Sequence, residues 1–243
     1  MALAAISGHQ SGADHGPPAG YEAFRAAAAS GAEYVELDIR RTRDGILVAH
    51  HDARCGPYGP AIADLYYDQL CDRLGRVVPR VADTMGILAG KVAGHLDLKE
   101  TGYEDEVIRL ALESFGPDGF VLSTLQDASI ARISREFPLV RTALSLGGDL
   151  DGGSVYSRTK ARLSEVFPVR RINACGAQWA AVNYRLAHAG VLGRCAASGI
   201  GTMLWTVDRD ELITRFLRDS RVEVVITNRP ERARALRDSL AEV

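Results

Sequence analysis

Two carboxylates occupy alternate positions of an apolar, strand-like segment, where a buried strand would ordinarily be apolar. The segment "EYVELDI" contains Glu36 and Asp38, two positions apart. Because successive side chains of a strand point to opposite faces, both acids lie on one face, together with Tyr34. Two buried carboxylates repel each other and are costly to desolvate unless a cation or basic groups compensate them. The pair therefore predicts a positively charged partner on this face.

The same spacing recurs in "GHLDLKE", where His95, Asp97 and Lys99 share one face of a second predicted strand. A hard divalent cation with oxygen ligands from Glu36, Asp38 and Asp97 would compensate the acids, with water and substrate oxygens as its remaining ligands. The alternative is a salt-bridge network in which Lys99 and nearby arginines neutralise the acids without a metal. The spacing leaves both interpretations open.

Two histidines follow predicted strands at positions that would bring them close to these acids. His9 ends the first strand, and His51 ends the strand that returns after an Asp44-Gly45 turn. Side chains that change charge near neutral pH suit general acid and general base work beside a hard metal. A lone histidine at a strand end is more often structural, but two converging on three acids favour chemistry.

The elements that must position these groups alternate between strands and helices along the whole chain. Apolar runs such as "YVELDI", "GFVLSTL" and "VEVVIT" are separated by stretches of helical periodicity, such as "EDEVIRLALESFG", "SRTKARLSEVF" and "RLAHAGVLGRCAASG". About eight such pairs in about 250 residues predict an α/β fold, a (β/α)₈ TIM barrel formed by residues 1–243 as one domain. A doubly wound open sheet is the alternative, but no GxGxxG or GxxxxGK motif supports it.

The least regular stretch is residues 54–79, which the barrel would place as a loop over the face where substrate contacts usually lie. A plain surface excursion is the alternative.

Composition excludes several classes of protein. The chain has 243 residues and a formal net charge of -2, so no global field would attract nucleic acid or an anionic membrane. No apolar run approaches the roughly 20 residues of a membrane span, and the apolar start is too short for a signal peptide, which predicts a cytoplasmic protein unless this is an exported mature form. The scattered cysteines predict reduced, packing thiols: Cys55, Cys71, Cys175 and Cys195.

The segment "GAEYVELDIRRTRDGILVAHHD" closely resembles the core signature of the glycerophosphodiester phosphodiesterases, GA-x-x-[IV]-E-x-D-[VI]-x-x-T-x-DG-x-x-V-x-HD, and aligns Glu36, Asp38 and the His51-Asp52 pair with it. Counterparts of further family motifs follow the same order along the chain: "AISGH", "HLDLK", "FVLSTL", "MLWTVD" and "VITNRPE". The resemblance therefore covers essentially the whole sequence.

The resemblance implies a (β/α)₈ barrel and metal-dependent cleavage of a phosphodiester, normally a glycerophosphodiester that yields glycerol 3-phosphate and an alcohol. By position, it implies that Glu36, Asp38 and Asp97 are ligands of a divalent metal, usually Mg²⁺ or Ca²⁺. The metal would offset charge on the phosphoryl oxygens of a small-molecule phosphodiester substrate.

The resemblance also implies roles for residues outside the metal site. His9 and His51 would be the catalytic pair that moves protons to and from the attacking and leaving oxygens. Lys99 would contact the phosphate, Trp205 would form a wall of the pocket, and Gln10 would lie at the phosphate.

The sequence departs from the family pattern mainly after the first strand. The family's "HRG" is "HQS" here, so Gln10 replaces an arginine that ordinarily clamps the phosphate. The family's "ENT" is also absent, near "PPAG" at residues 17–20, and the third acid is Asp97 instead of Glu. Charge-assisted hydrogen bonds of the kind that an arginine makes are worth about 1.5–3 kcal/mol each.

Other basic residues can replace the missing arginine, and the candidates are Arg40, Arg54 and Lys99. The stretch "SGADHGPPAG", which contains His15, is then either a rebuilt loop over the pocket or simply a divergent one.

Three kinds of function remain compatible with the sequence. The leading hypothesis is a metal-dependent phosphodiesterase that acts on a glycerophosphodiester-like or other small or lipid-derived diester. A lyase that stops at a cyclic phosphate is the second, since the related sphingomyelinase D-type phospholipases also lack the "HRG" arginine. A specialised biosynthetic enzyme or a non-catalytic binding protein on the same barrel is the third. The oligomeric state is left open.

Overall fold

The chain forms a closed barrel of eight parallel strands, which confirms the predicted (β/α)₈ class. The computed structural model describes residues 3–11, 19–147 and 164–241. One further strand, β3, pairs antiparallel with β2 as the predicted hairpin return. The strands are β1 Ala5–Gly8, β2 Tyr34–Arg41, β3 Leu47–Ala49, β4 Ala93–Leu98, β5 Phe120–Thr124, β6 Thr142–Leu146, β7 Trp179–Asn183, β8 Gly201–Trp205 and β9 Val224–Thr227.

Helices surround the barrel, and most of them pack an apolar face against the outer side of the strands. They are α1 Tyr21–Ala29, α2 Tyr67–Leu74, α3 Val81–Leu88, α4 Glu104–Phe115, α5 Asp127–Glu136, α6 Val169–Cys175, α7 Tyr184–Ala187, α8 Val191–Ala197, α9 Asp210–Leu217 and α10 Pro230–Ala241. Two short 3₁₀ turns occupy His9–Ser11 and Ile62–Asp64. The helix predicted for "SRTKARLSEVF" lies largely outside the described residues, and its residues 164–166 are helical.

The strand alternation separates an outer core from an inner one. On β2, Val35, Leu37 and Ile39 are fully buried against the helices, while the intervening acids point into the barrel. One inward apolar side chain from each of five strands, and a second from β9, fills the inside: Val121, Ala143, Ala181, Met203, Val224 and Ile226.

The polar side chains inside the barrel lie directly above this inner core. Ser123, Ser145, Asn183 and Trp205 each follow an inner-core residue by two positions, so they occupy the next layer toward the carboxyl ends of the strands. The inner core thus fills the barrel beneath this polar layer, and the mouth at the carboxyl ends of the strands is lined by polar side chains.

Two local predictions were wrong in detail. The segment "RLAHAGVLGRCAASG" was predicted as one helix, but it forms α7 and α8, separated by a turn at Gly190, whose φ of 78° is a left-handed conformation that glycine adopts without strain. Residues 54–79 were predicted as a loop, but they include α2, whose side chains pack with β3 in a small cluster of Val48, Ile62, Leu65, Tyr67, Leu70 and Val78.

All four cysteines carry free thiols, and Cys175 and Cys195 are buried, as predicted for packing cysteines. In the described part of the chain, no helix is long and apolar enough to cross a membrane.

Candidate active site

The mouth of the barrel holds a cavity of about 440 Å³ at the carboxyl ends of the strands. It is lined by His9, Glu36, Arg40, His51, His95, Asp97, Lys99, Ser123, Leu125, Ser145, Gly147, Ala181, Asn183, Trp205 and Ile226. Six of the predicted site residues are therefore together in one cavity. Of the other two, Asp38 is buried beside them, and Gln10 is not among the described lining residues.

The three predicted metal ligands converge because β2 and β4 are neighbours in register. Asp38 pairs directly with Asp97, and Glu36 pairs with His95. One ligand oxygen from each of Glu36, Asp38 and Asp97 lies within 4.8 Å of the others. Both β2 acids are buried, with 6% of Glu36 and 2% of Asp38 exposed. The period-two spacing of the sequence is thus realised as a compact acid cluster.

Lys99 lies at the edge of this acid cluster. Its Nζ is 2.7 Å from Asp38 Oδ1 and 2.5 Å from Asp97 Oδ2. Burial acts to lower the pKa of Lys99, but the nearby carboxylates outweigh it and raise the pKa above its ordinary range. Burial likewise acts to raise the pKa of Asp97, but Lys99 and Ser123 hold it low. The ion pairs that the salt-bridge interpretation predicted are therefore present.

One lysine does not compensate the charge of three carboxylates, and the pKa of Glu36 shows the effect of the excess negative charge. Burial, together with the charges of Asp38 and Asp97, raises the pKa of Glu36 to about 7, even though His9 and Lys99 act to lower it. A second positive charge near Glu36 would restore its ionised form.

The cluster fits a hard divalent cation. Both carboxylate oxygens of Asp38 are buried, and although Lys99 is close to one of them, neither accepts a well-aligned hydrogen bond from the described residues. A buried carboxylate oxygen without a hydrogen bond, such as Oδ2 of Asp38, is unusual in a protein interior unless it faces an ion or water. Three carboxylate donors are the ligand chemistry that Mg²⁺ and Ca²⁺ prefer.

His9 follows β1 and reaches the acid cluster from the other side. Its Nε2 is 3.6 Å from Glu36 Oε2, and its Nδ1 is 2.8 Å from Asn228 Oδ1. Burial acts to lower the pKa of His9, but Glu36, Asn228 and Asp38 outweigh it and raise the pKa above the ordinary value. The next residue, Gln10, places its backbone N–H 3.2 Å from Glu36 Oε2, where it donates a hydrogen bond.

His51 lies at the rim of the cavity, and about half of its side chain is exposed. Its Nδ1 is 2.8 Å from Asp52 Oδ1, so the neighbouring carboxylate orients the ring. A partly buried histidine, His9, and an exposed one, His51, thus line the same cavity.

Of the three basic candidates to replace the missing arginine, Arg40 and Lys99 line the cavity. Arg40 follows Asp38 by two positions on β2, donates from Nε to the His51 carbonyl oxygen at 2.8 Å and pairs with Glu100. Arg54 donates to the Gly59 carbonyl oxygen on the protein surface and is not a lining residue. His15, in the stretch that replaces "ENT", lies outside the described residues.

Asp97 is held by a second hydrogen-bond network, which the sequence did not predict. Ser123 Oγ donates to Asp97 Oδ1, and His95 Nε2 lies 3.0 Å from the same hydroxyl. His95 Nδ1 is 3.3 Å from Ser7 Oγ. Burial lowers the pKa of His95 to about 4, so the ring is neutral at neutral pH. The inward position of His95 was visible in the spacing of "GHLDLKE", but its serine partners come from two other strands, Ser7 from β1 and Ser123 from β5.

The wall opposite the acids is uncharged. Trp205 is held by its Nε1–H, which donates to the Ala181 carbonyl oxygen at 2.9 Å. Ser145, Gly147 and Asn183 also line the cavity. The cavity therefore places a neutral surface across from its charged one.

The fold is shared with several solved structures. A glycerophosphodiester phosphodiesterase from Parabacteroides distasonis has a TM-score of 0.75 at 18% identity, with 99% of each chain covered. One from Thermotoga maritima has a TM-score of 0.73 at 20% identity, covering 95% of this chain and 97% of that one. An Oleispira antarctica phosphodiesterase, solved with the product sn-glycerol-3-phosphate, has a TM-score of 0.74 at 14% identity, with 97% of each chain covered. At these identities, the similarity shows a shared fold.

No curated protein matches the sequence. Residues 20–80 do match the profile of the glycerophosphoryl diester phosphodiesterase family, and this stretch contains Glu36, Asp38 and His51. This match over residues 20–80, on a barrel whose fold the solved structures share, is what the chain has in common with the glycerophosphoryl diester phosphodiesterase family.

Proposed function

We propose that this protein is a metal-dependent phosphodiesterase that cleaves a glycerophosphodiester-like or other small or lipid-derived phosphodiester. The family consists of phosphoric diester hydrolases. The observation that carries the proposal is that three carboxylates, a lysine and two histidines lie together at the barrel mouth, where all of them except Asp38 line one cavity. The product complex of the Oleispira antarctica phosphodiesterase supports a phosphoester ligand for this fold.

In this proposal, Glu36, Asp38 and Asp97 hold a divalent cation, either Mg²⁺ or Ca²⁺. When bound, the cation would offset negative charge on the phosphoryl oxygens. Lys99 stays beside Asp38 and Asp97 and presents its remaining N–H donor capacity toward the cavity. Its charge favours the anionic substrate and the greater charge that develops on the phosphoryl oxygens during reaction.

The two histidines would carry the protons. One removes a proton from the attacking hydroxyl and the other gives a proton to the leaving oxygen, so the number of protons on the pair is conserved over the reaction. The raised pKa of His9 suits the partner that begins protonated. His51, at the exposed rim and oriented by Asp52, suits the partner that exchanges protons with water.

Trp205 would pack against the alcohol of the substrate on the neutral wall, where its hydrogen bond to Ala181 fixes the ring. Gln10 would help to position Glu36, because its backbone N–H donates a hydrogen bond to Glu36 Oε2.

The test is turnover of a panel of glycerophosphodiesters and aryl phosphodiesters by the purified protein with Mg²⁺ or Ca²⁺. Removing a general acid or base costs about 10²- to 10⁴-fold in rate, so His51→Ala should lose most of the activity. His50→Ala is the matched control, because His50 is the adjacent histidine but does not line the cavity. The proposal fails if no diester is turned over, or if the His51 and His50 variants retain equal activity.

The products separate hydrolysis from lyase chemistry. Phosphorus NMR during the first turnovers will show either an open phosphomonoester or a cyclic phosphate. An open monoester from a substrate that lacks a neighbouring hydroxyl would establish direct attack by water.

A further inference from the structure

The ring of His9 contacts an amide side chain, that of Asn228, which has no role in the proposed reaction. Asn228 directly follows β9, the neighbour of β1 in the barrel, and its Oδ1 lies 2.8 Å from His9 Nδ1. Which atom of this pair donates depends on how the Asn228 amide is oriented, because an amide can present either its oxygen or its NH₂ group.

Asp208 fixes that orientation. Its Oδ1 accepts from the backbone N–H of Asn228 at 2.8 Å and from Thr227 Oγ1 at 3.1 Å. Its Oδ2 accepts from Asn228 Nδ2 at 2.8 Å. An ionised carboxylate can only accept, so the NH₂ group of Asn228 must face Asp208, and the amide oxygen must face His9.

The direction of the hydrogen bonds then determines the tautomer of His9. The amide oxygen of Asn228 can only accept, so His9 Nδ1 must carry a hydrogen. In the neutral ring, Nε2 is then the atom with the free lone pair, and it is the atom that points toward Glu36, at 3.6 Å. Polar partners of this kind orient reactive imidazoles in many enzymes.

We propose that Asp208 and Asn228 are positioning residues, which hold His9 in the tautomer protonated at Nδ1 and thereby keep Nε2 available as the proton-transfer atom of the cavity. The catalytic consequence rests on the proposed function of His9, whereas the tautomer itself does not. Neither residue touches the cavity through a lining side chain.

Exchanging the two residues tests the direction of the network. In Asp208→Asn, two NH₂ groups would face each other, so the Asn228 amide rotates and turns its NH₂ toward His9. Nδ1 must then accept, and the hydrogen moves to Nε2. In Asn228→Asp, two carboxylates would face each other across the 2.8 Å now spanned by Nδ2 and Oδ2, which is repulsive.

The double variant, Asp208→Asn with Asn228→Asp, restores every hydrogen bond with the same geometry. The amide oxygen introduced at position 208 keeps the two donors that Oδ1 has now, from Asn228 N and Thr227 Oγ1. The new NH₂ group takes the place of Oδ2 and donates to the carboxylate at position 228. That carboxylate can accept from His9 Nδ1, so the tautomer is recovered.

Two measurements read the result. Histidine labelled with ¹⁵N, in spectra at alkaline pH where the ring is neutral, shows directly which ring nitrogen carries the hydrogen, and the His9→Gln variant assigns the His9 signals. Steady-state kinetics on the best diester of the panel gives kcat and KM. Loss of such a supporting residue typically costs about 10- to 100-fold, and we expect that loss in kcat for Asp208→Asn, with KM little changed.

Asp210→Asn is the matched control. Asp210 is two positions from Asp208. Its carboxylate pairs with Arg229 and Arg232 and has no hydrogen bond to Asn228 among the described contacts. It should leave the tautomer and kcat as in the wild type.

The expected pattern is a hydrogen at Nδ1 in the wild type and the double variant, a hydrogen at Nε2 in Asp208→Asn, and recovery of kcat in the double variant. A wild-type ring that carries its hydrogen at Nε2 overturns the proposal, as does a double variant no faster than Asp208→Asn. If the wild type turned over no diester, the proposed function would fail while the tautomer measurement still decided this inference. If a single variant did not fold, the tautomer of the wild type and of the double variant would decide it.

Discussion

Replacing Lys99 by methionine tests how the charge of the acid cluster is compensated. Methionine has a similar length and no charge, so Lys99→Met removes the cation that lies 2.7 Å from Asp38 and 2.5 Å from Asp97 while filling much of the same volume. The three carboxylates then face each other with no lysine between them. The folded state must either take up protons or bind a cation.

The cost follows from the burial of the partners. The exposed fraction of the side chain is 18% for Lys99, 13% for Asp97 and 1% for Asp38. Removing one partner of a buried ion pair costs about 3–5 kcal/mol, and we expect the lower end because Lys99 retains some contact with water. For a chain of this length, each kcal/mol lowers the Tm by about 2–4 °C, which gives a loss of about 6–12 °C.

Thermal unfolding in EDTA and again in Mg²⁺ or Ca²⁺ provides the assay. Because a bound divalent cation would supply the missing charge, the difference between Lys99→Met and wild type should shrink when the metal is present. Lys91→Met is the control, since Lys91 is an exposed lysine whose Nζ donates only to the Ile87 carbonyl oxygen among its described contacts. A variant within about 2 °C of wild type in EDTA would refute the electrostatic reasoning, and an unchanged deficit in metal would favour the salt-bridge network without a cation.

Three further predictions concern the metal, the rim and the acid stability of the fold. Calorimetry should detect divalent-cation binding to the wild type and lose it in Asp38→Asn, and equal binding by both would place the cation elsewhere. Gly147→Ala should lower both the Tm and the activity, because Gly147 has a φ of 91° and an added Cβ would lie 2.6 Å from the Asn183 Cβ; a variant as stable as wild type would contradict this. Burial acts to raise the pKa of Glu33, but two hydrogen bonds from Arg237 outweigh it and lower the pKa. The stabilisation by Glu33 is therefore present above its ordinary pKa of 4.5 and lost as the pH falls through the lowered folded-state value. Urea midpoints of Glu33→Gln and wild type should differ at neutral pH and converge as the pH falls below the lowered pKa of Glu33, and a constant difference would exclude this linkage.

The fold could be predicted because local patterns were consistent with it along the whole chain. The alternation of apolar strands and amphipathic helices fixed the class, and the period-two spacing put the acids of β2 on the inner face. The break between α7 and α8 at Gly190 could not be predicted from these patterns. The segment around Gly190 has continuous helical periodicity, and this one glycine decides where the turn lies. The helix α2 within residues 54–79 could not be predicted either, because this short helix is stabilised by its packing against β3 and not by its own length.

The candidate site divides in the same way. That Glu36, Asp38 and Lys99 lie close together could be predicted, because parallel neighbours in a barrel align strands that carry the same alternation. The supporting hydrogen bonds from Ser123 to Asp97 and from Asp208 to Asn228 could not, since each joins residues on different elements. A sequence pattern reports which face a side chain occupies, but not which atom of a distant loop lies 2.8 Å from it.

The missing phosphate-clamping arginine also has a consequence for charge at the mouth. Among the described residues of the cavity, the two long-chain cations are both already paired, Arg40 with Glu100 and Lys99 with two acids. With Glu36 ionised, the four carboxylates of Glu36, Asp38, Asp97 and Glu100 outnumber Arg40, Lys99 and a protonated His9, and an anionic diester would be repelled. A bound divalent cation would balance that excess, so substrate affinity should depend on metal more steeply here than in a barrel that keeps the arginine. Glu100 is 37% exposed and can turn toward water, which would free Arg40 for the phosphate once the substrate supplies a competing anion.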